Sequence, residues 1–462
     1  MNLFYHYPHI YWQCAVLTIN ASADPENQSK DSTNYGKIAK AIGAMQQQSV
    51  HIALPDINTA NYGFKPDCEH NQIIFGLKGI SGIGDELAAA IVQNQPYASL
   101  NDFISKVTPT TKQIVALVKA GAFDSLYSTQ TRLQIMNTLM DLLAEQNAET
   151  KASLGLRNLK SVQELGLVPP QFDFACRLNA YRSYIKRAEF ATKIGKTKAA
   201  LLDATAQLFF DGSLQSCFTE GKDYCYTENG TAIFLSKFEK FYESIITPLR
   251  EWLDQPETLA LYNAAVRSAY IRELWSKECA GDAPHWEMDS LCFYYTEHEL
   301  AHVNNTAYGI ETFSTLPEEP SVVDTPSRKV KMPDGSTKEV TYNRYQLTRI
   351  AGTVLDKDKN RSSITLLTTD GVVAVKFYDG AFVHYNKQVS RILPDGTKQV
   401  IEKPWFKRGN LLIVTGFRRG DTFFPRTYRD SIYQHTVSLI TQVYANGSLE
   451  LKTEREKSED AE

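Results

Sequence analysis

The stretch FGLKGISGIGDELAAAIV, residues 75–92, places glycine at 76, 79, 82 and 84 and then changes at once to a run of helix formers. Backbone freedom this concentrated, followed by a helix start at Asp85, spells a tight turn between two short helices. Ile80 and Ile83 pin the turn inward, and Ala88 lets the helices pack closely. At Gly82 and Gly84 no side chain stands in the way, so a phosphate can approach the main chain and take N–H donors at a helix N-terminus. A helix-hairpin-helix element of this sort holds a sugar-phosphate backbone and reads no bases. Its candidate contacts are Lys78, Gly79, Gly82, Ile83 and Gly84, with Lys78 adding charge. The same spacing also suits a glycine-rich corner between packed helices that binds nothing. Further on, ALVKAGAFDSLYSTQTRLQIM, residues 116–136, repeats helix, turn and helix without GxG, as expected of a degenerate copy that only packs.

On either side of this segment the pattern is helical. Residues 1–70 read as helix, loop and helix, with SADPENQSKDSTNYG as the loop. From 150 to about 310, apolar residues recur at three- and four-residue spacing, as in IFLSKFEKFYESIITPLREWL. Within it AQLFFDG, residues 206–212, has the look of the short Gln-plus-aromatic peptides that dock on sliding clamps, and reads equally well as an amphipathic helix end.

Prolines at 317, 320 and 326 mark a linker, after which the period changes to two. YQLTRIAGTVLD, SSITLLTT, GVVAVKFY, GNLLIVTGF and HTVSLITQV are short β-branched runs between turn residues, the makings of a small barrel of the OB type. PDGSTKEV from Pro333 and PDGTKQV from Pro394 are expected hairpin tips. The module is basic, with 20 Lys and Arg against 10 Asp and Glu between Thr325 and Asp430, in a chain whose net charge is only −4. Residues 402–430, EKPWFKRGNLLIVTGFRRGDTFFPRTYRD, interleave cations with aromatic rings. Cations that follow a phosphate chain beside rings on which bases stack are what sequence-tolerant single-strand binding needs. The candidate contacts are Lys376, Lys407, Arg408, Arg418, Arg419, Phe423 and Arg426. The alternative is a barrel whose aromatics form the core and whose arginines form the rim.

Composition excludes other classes. The chain has 462 residues, 43% of them hydrophobic and 22% charged, and no apolar run long enough to cross a bilayer. Its seven cysteines are scattered and never form CxxC, which argues for reduced thiols, against a zinc site and for the cytoplasm. There is no Walker loop, HExxH or GxSxG. Asp356 and Asp358 stand two apart, as metal-holding carboxylates of nucleases do, but Lys357, Lys359 and Arg361 crowd them, and a solvated turn is the expected reading.

FGLKGISGIGDELAAAIV, PYASLNDFI and LVKAGAFDSL, in that order and closely spaced, resemble the alpha subunit of bacterial DNA polymerase III, the C-family replicative polymerases. YHYPHIYWQCAVLT and LPDINTANYGF are similar to the end of that family's fingers region. EMDSLCFYYTEHEL is similar to its segment ahead of the OB domain, with Cys292 where glycine is usual and Glu299 where proline is usual. The resemblance implies a multidomain α+β chain: mainly α-helical N-terminal and middle regions with helix-hairpin-helix elements, then a C-terminal OB-type β-barrel. The expected divisions are 1–70, end of the fingers; 71–145, tandem helix-hairpin-helix; 146–312, a helical region with a candidate clamp-binding segment; 313–344, linker and hairpin; 345–445, OB domain; and 446–462, a charged tail. Expected partners are duplex and single-stranded DNA, a palm-bearing polymerase chain and a sliding clamp, with no membrane. The family's palm aspartates hold Mg²⁺, and no segment here resembles them. The chain is therefore expected to bind no cofactor itself, to be inactive alone, and to be the C-terminal portion of a split polymerase of phage type or the product of a truncated reading frame. The alternative is a stand-alone DNA-binding protein of repair or recombination.

Overall fold

The computed structural model describes residues 9–21, 35–187, 190–331, 337–378, 380–393 and 397–456, so both Pro-Asp-Gly tips lie outside the described residues. The chain divides into two compact units, one of Met1–Leu139 with Glu278–Glu462 and one of Met140–Lys277. The architecture is α+β, as the sequence leads one to expect.

In the first unit a small sheet sets up the glycine turn. Strand His51–Ala53 pairs in parallel with Gln72–Ile74, which pairs antiparallel with Lys65–Asp67. From this sheet the chain enters a single 3-10 turn, Leu77–Gly79, crosses the tip, and starts the helix Asp85–Gln93. The first helix expected of the hairpin is thus one turn only. Two more helices follow, Leu100–Val107 and Thr111–Lys119, and then Arg132–Asn147, which begins in this unit and ends in the second. Their starts are encoded locally: the Ser99 hydroxyl accepts the Asp102 N–H, and Thr110 forms a capping box with Gln113.

The helix Ala283–Leu291, capped by Asp282, ends on Cys292 at φ 64°, ψ 20°. That left-handed backbone favours glycine, the residue that the resemblance leads one to expect here. Beyond it stands a closed five-stranded barrel. Thr348–Asp358, Ser363–Thr368 and Gly371–Lys376 form an antiparallel meander. Gly371–Lys376 then pairs in parallel with Thr422–Pro425, which pairs with Leu411–Arg419, and Leu411–Arg419 closes the ring on Thr348–Asp358. A short helix, Ala381–Asn386, lies between the third and fourth barrel strands in sequence, and the order is that of an OB-type fold. Trp405, Phe406, Phe423, Leu412 and Val414 are among its core residues.

Two sequence readings need correction here. HTVSLITQV, expected as the fifth barrel strand, instead forms Val437–Val443, which adds to the outside of Leu411–Arg419 and pairs in turn with Leu449–Lys452. The true fifth strand is the four-residue Thr422–Pro425, and the segment expected as a charged tail begins with a strand. Two hairpins, Ser327–Lys331 with Thr337–Thr341 and Val389–Ile392 with Lys398–Glu402, flank the two tips.

The second unit is not wholly helical. Alongside long helices such as Leu235–Leu253 it contains an antiparallel sheet in which Ala191–Ile194, Thr197–Leu201, Gly230–Phe234 and Tyr224–Thr227 lie in that order. Phe210, Phe238, Tyr242 and Ile246 lie fully buried in its core. No helix among the described residues is long and apolar enough to cross a membrane.

Candidate nucleic-acid interface

The glycine turn is built to be bare. Ile80 and Ile83 are buried, as their spacing predicts, and so hold the backbone from below. The Ser81 N–H donates to the Ser290 carbonyl at 2.8 Å, which ties the tip to the helix Ala283–Leu291. Above this base Gly82 and Gly84 are exposed, and a Cβ added to either would meet nothing within 4 Å. Gly82 lies at φ +86°, a conformation that favours glycine. Gly84 is the N-cap of Asp85–Gln93 and supplies no side-chain cap, so the amides at the start of this helix lack the acceptor that a Ser or Asp cap would give them. Among the described residues neither the Gly82 nor the Gly84 N–H has a backbone acceptor.

Lys78 and Gly79 play other parts than expected. The Lys78 side chain is only 8% exposed and its Nζ lies 2.9 Å from Asp85 Oδ1, while the Tyr62 phenol donates to the same oxygen. The hydrogen bond to Asp85 pushes the Tyr62 phenol up to about 12, and it also holds the Asp85 carboxyl below its ordinary range. Lys78 therefore neutralises the acid at the mouth of the helix, where a bare carboxylate would repel a phosphate. Gly79 is buried, and a Cβ there would meet the Phe64 and Phe75 rings at 2.8 Å, so its role is packing.

The second helix-turn-helix is plugged. Gly121 also has positive φ, +77°, but a Cβ would meet Arg132 Nη2 at 2.7 Å and Asp124 Oδ2 at 2.9 Å. Arg132 donates to Asp124 at 2.8 Å and to Glu287 at 2.9 Å. Glu287 has no solvent exposure and accepts further from the Tyr295 and Thr296 N–H groups at 2.8 and 3.0 Å. This copy packs, as its sequence suggests.

On the barrel, a cleft of about 750 Å³ is lined by Tyr342, Arg344, Tyr345, Tyr378, Phe417 and Phe424, with Pro425 to Asp430 along one side. Its rings form a row. Tyr345 lies 4.5 Å from Phe417, Phe417 lies 5.9 Å from Phe424, and Phe424 stacks on Tyr378 at 5.5 Å with the planes 12° apart. Arg344 sits 4.5 Å over the Tyr428 ring and pairs with Asp430. Arg419 donates to the Tyr345 hydroxyl at 2.9 Å, and Arg426 and Arg429 are exposed. Phe417 is itself buried, while Tyr345, Phe424 and Tyr378 keep exposed surface, and such rings beside cations are the elements of a single-strand platform.

Of the barrel residues expected to bind, Arg426 lines the cleft, Arg419 borders it, and Lys376 is exposed two residues before Tyr378. Lys407 is exposed and Arg408 half-buried, and neither lines the cleft. Phe423 is a correction: it is fully buried in the barrel core and offers no face to a base. Arg418 is another. It donates to the Gly420, Phe313 and Leu316 carbonyls at 2.8, 3.2 and 2.8 Å and covers the Phe313 ring, so it clamps the linker to the barrel. Sequence reasoning missed Arg344, Tyr345 and Tyr378. The signal for Tyr378 was its place at the end of the alternating run GVVAVKFY.

Asp358 is taken up by the turn that the sequence predicts. The Asp358 carboxylate accepts the Asn360 and Arg361 N–H groups at 2.9 and 3.0 Å, a turn cap. Among the described residues no group of three or more His, Cys, Asp or Glu side chains is placed to hold a metal ion. In AQLFFDG, Phe210 is in the core of the second unit and Phe209 packs on Tyr181 at 4.7 Å, so this stretch does not present its aromatics as a docking peptide.

A turn bare of side chains and a cleft lined by rings and cations are arrangements suited to a nucleic-acid backbone and its bases. The family model described as helix-hairpin-helix motif matches residues 49–133. The chain is similar to the probable DNA polymerase YorL of Bacillus subtilis (strain 168) and to the DNA-directed DNA polymerase of Bacillus phage SPbeta, each 40% identical over 465 residues that cover 98% of this chain and 34% of the relative. DNA polymerase III subunit alpha of Aquifex aeolicus is 34% identical over 152 residues, 31% of this chain and 12% of that protein. The chain spans about a third of the length of the first two relatives. It is related to bacterial and phage DNA polymerases, and it fits the C-terminal portion of the polymerase III alpha type.

Proposed function

We propose that this chain is the DNA-binding C-terminal part of a replicative DNA polymerase, acting in the cytoplasm of a bacterial cell or a phage-infected host. It holds the duplex backbone at Gly82 and Gly84 and the single-stranded template along the aromatic cleft of the barrel. The carboxylates that hold Mg²⁺ for nucleotidyl transfer are supplied by a palm on another chain. The observation that carries this reading is the exposed, side-chain-free turn at Gly82 and Gly84, inside a helix-hairpin-helix match, in a chain 40% identical to DNA polymerases. A sliding-clamp contact, which the resemblance implies, would have to use residues other than Phe209 and Phe210.

Two assays test it together. The chain binds primed duplex and single strands with an affinity that falls with salt, at a log-log slope of about −0.9 per phosphate neutralised on duplex and −0.7 on single strands. With Mg²⁺, nucleotides and a primed template it incorporates nothing alone and does so when a palm-bearing chain is added. Incorporation by the chain alone would refute the division of labour. Binding without any gain from a palm-bearing chain would return the stand-alone repair or recombination protein.

A further inference from the structure

The unit Met140–Lys277 contributes no residue to either interface above, yet it carries an exposed charge arrangement of its own. Strands Ala191–Ile194 and Thr197–Leu201 form an antiparallel hairpin joined by two residues, Gly195 at φ +62° and Lys196. Glycine with positive φ at the first of two turn residues is the sequence of a tight hairpin turn. From Ala191 to Leu201 there are three lysines, at 193, 196 and 198, and no acidic residue. The register sets Lys193 directly opposite Lys198. All three are exposed, and among the described residues none has an ion-pair partner.

Like charges facing each other across a strand pair destabilise it, so the arrangement has a cost that folding alone does not explain. Lysine on an outer strand can guard a sheet edge against aggregation, and Ala191–Ile194 is such an edge. That accounts for Lys193. It does not account for Lys198 on the inner strand or Lys196 in the turn. The inner strand pairs with Gly230–Phe234, which runs directly into the helix Leu235–Leu253, and this helix adds exposed Lys237 and Lys240 in its first turns. Lys186, in contrast, is tied to Glu239 at 3.0 Å.

We propose that the lysine hairpin 193–198 is a further contact for the phosphate backbone of nucleic acid, a proposal that rests on the DNA-binding reading above. Its chemistry favours a backbone over an acidic protein surface. Ammonium groups are point charges without the fork that reads base edges, and the tip has no aromatic anchor of the kind that protein interfaces are built around. Because the hairpin is joined to the first unit by the chain, even a weak contact adds to affinity through effective concentration.

The test is a salt titration of duplex binding by the full chain, wild type against the triple variant Lys193→Gln, Lys196→Gln, Lys198→Gln. The expected result is a log-log slope shallower by about 2–3, from about 0.9 for each phosphate that is no longer neutralised, and at least about tenfold weaker binding near 0.1 M salt. Melting temperature should hold or rise, since the facing charges are gone, and the corresponding triple Arg variant should keep the wild-type slope. An unchanged slope and affinity in the Gln variant would overturn this proposal and leave the proposed function intact. A wild-type chain that shows no salt-dependent binding would overturn both. A Gln variant that binds DNA normally but no longer binds polyglutamate would assign the hairpin to an acidic protein surface and overturn the proposal in that direction.

Discussion

Gly82 and Gly121 both sit at positive φ, +86° and +77°, in the turns of two successive helix-turn-helix elements. A Cβ at Gly82 would meet nothing within 4 Å, whereas at Gly121 it would meet Arg132, Asp124 and Leu54 at 2.7, 2.9 and 3.0 Å. The backbone conformation is shared and the surroundings are opposite. A left-handed glycine therefore reports a tight turn, and what stands across from it decides whether the turn faces a ligand or a neighbour. In the first turn the charges leave the glycines bare, with Lys78 and Tyr62 both paired to Asp85. In the second they fill it, with Arg132 bridging Asp124 and the buried Glu287.

The largest effects should come from the plugged side. Glu287→Ala leaves Arg132 and two backbone N–H groups short of a partner, and breaking a buried pair from one side costs about 3–5 kcal/mol, read as a lower denaturation midpoint. Phe423→Ala should cost a similar ~3–5 kcal/mol by emptying part of the barrel core, while Phe424→Ala, one residue along on the cleft face, should leave folding largely intact and weaken single-strand binding by about 1–3 kcal/mol. Next comes Gly121→Ala, where a Cβ meets both strained backbone and filled space, at about 2–4 kcal/mol of stability. Gly84→Val should shift the balance to function: at most about 1 kcal/mol of stability for a poorer N-cap, against about 1.5–3 kcal/mol of duplex affinity as charge-assisted bonds to phosphate are blocked.

The smallest effect concerns the segment that leads from Glu287 to the barrel. His298 is half-buried, and desolvation holds its imidazole below the ordinary pKa. Its Nδ1 accepts the Leu300 N–H at 3.0 Å, and its Nε2 faces the Leu367 carbonyl at 2.9 Å. The unfolded chain takes up this proton near pH 6.5 and the folded chain only at lower pH, so the neutral ring stabilises fully above that range and loses its contribution as pH falls through it. Between about pH 7.5 and 5.5 the wild type should lose more melting temperature than His298→Gln does. His285, raised first by its hydrogen bond to Glu299, acts with the opposite sign in both proteins and cancels in the comparison. Equal losses would show that the half-buried ring carries no such linkage.

The open turn was legible because all of its parts lie within a few residues: two isoleucines to bury, two glycines to expose and a helix start after them. The plug was not, since Arg132 and Glu287 are 155 residues apart and neither has a local signature. In the barrel, alternation gave four strands, but Thr422–Pro425 is four residues long and its Phe423-Phe424 pair is apolar on both faces, so nothing local said which ring turns inward. The row through Tyr345, Phe417, Phe424 and Tyr378 draws on four separate strand regions and exists only after the ring of strands closes. In the second unit TKIGKTKAAL carries few β-branched residues, and its pairing with Gly230–Phe234 is what makes it a strand.

The most direct test is duplex affinity and melting temperature measured side by side for wild type and Gly84→Val. If exposed main-chain amides at the first turn grip the phosphate backbone, binding should weaken by about tenfold or more while melting moves by no more than a few degrees. Unchanged affinity in the folded variant, or a loss that merely follows unfolding, would contradict it.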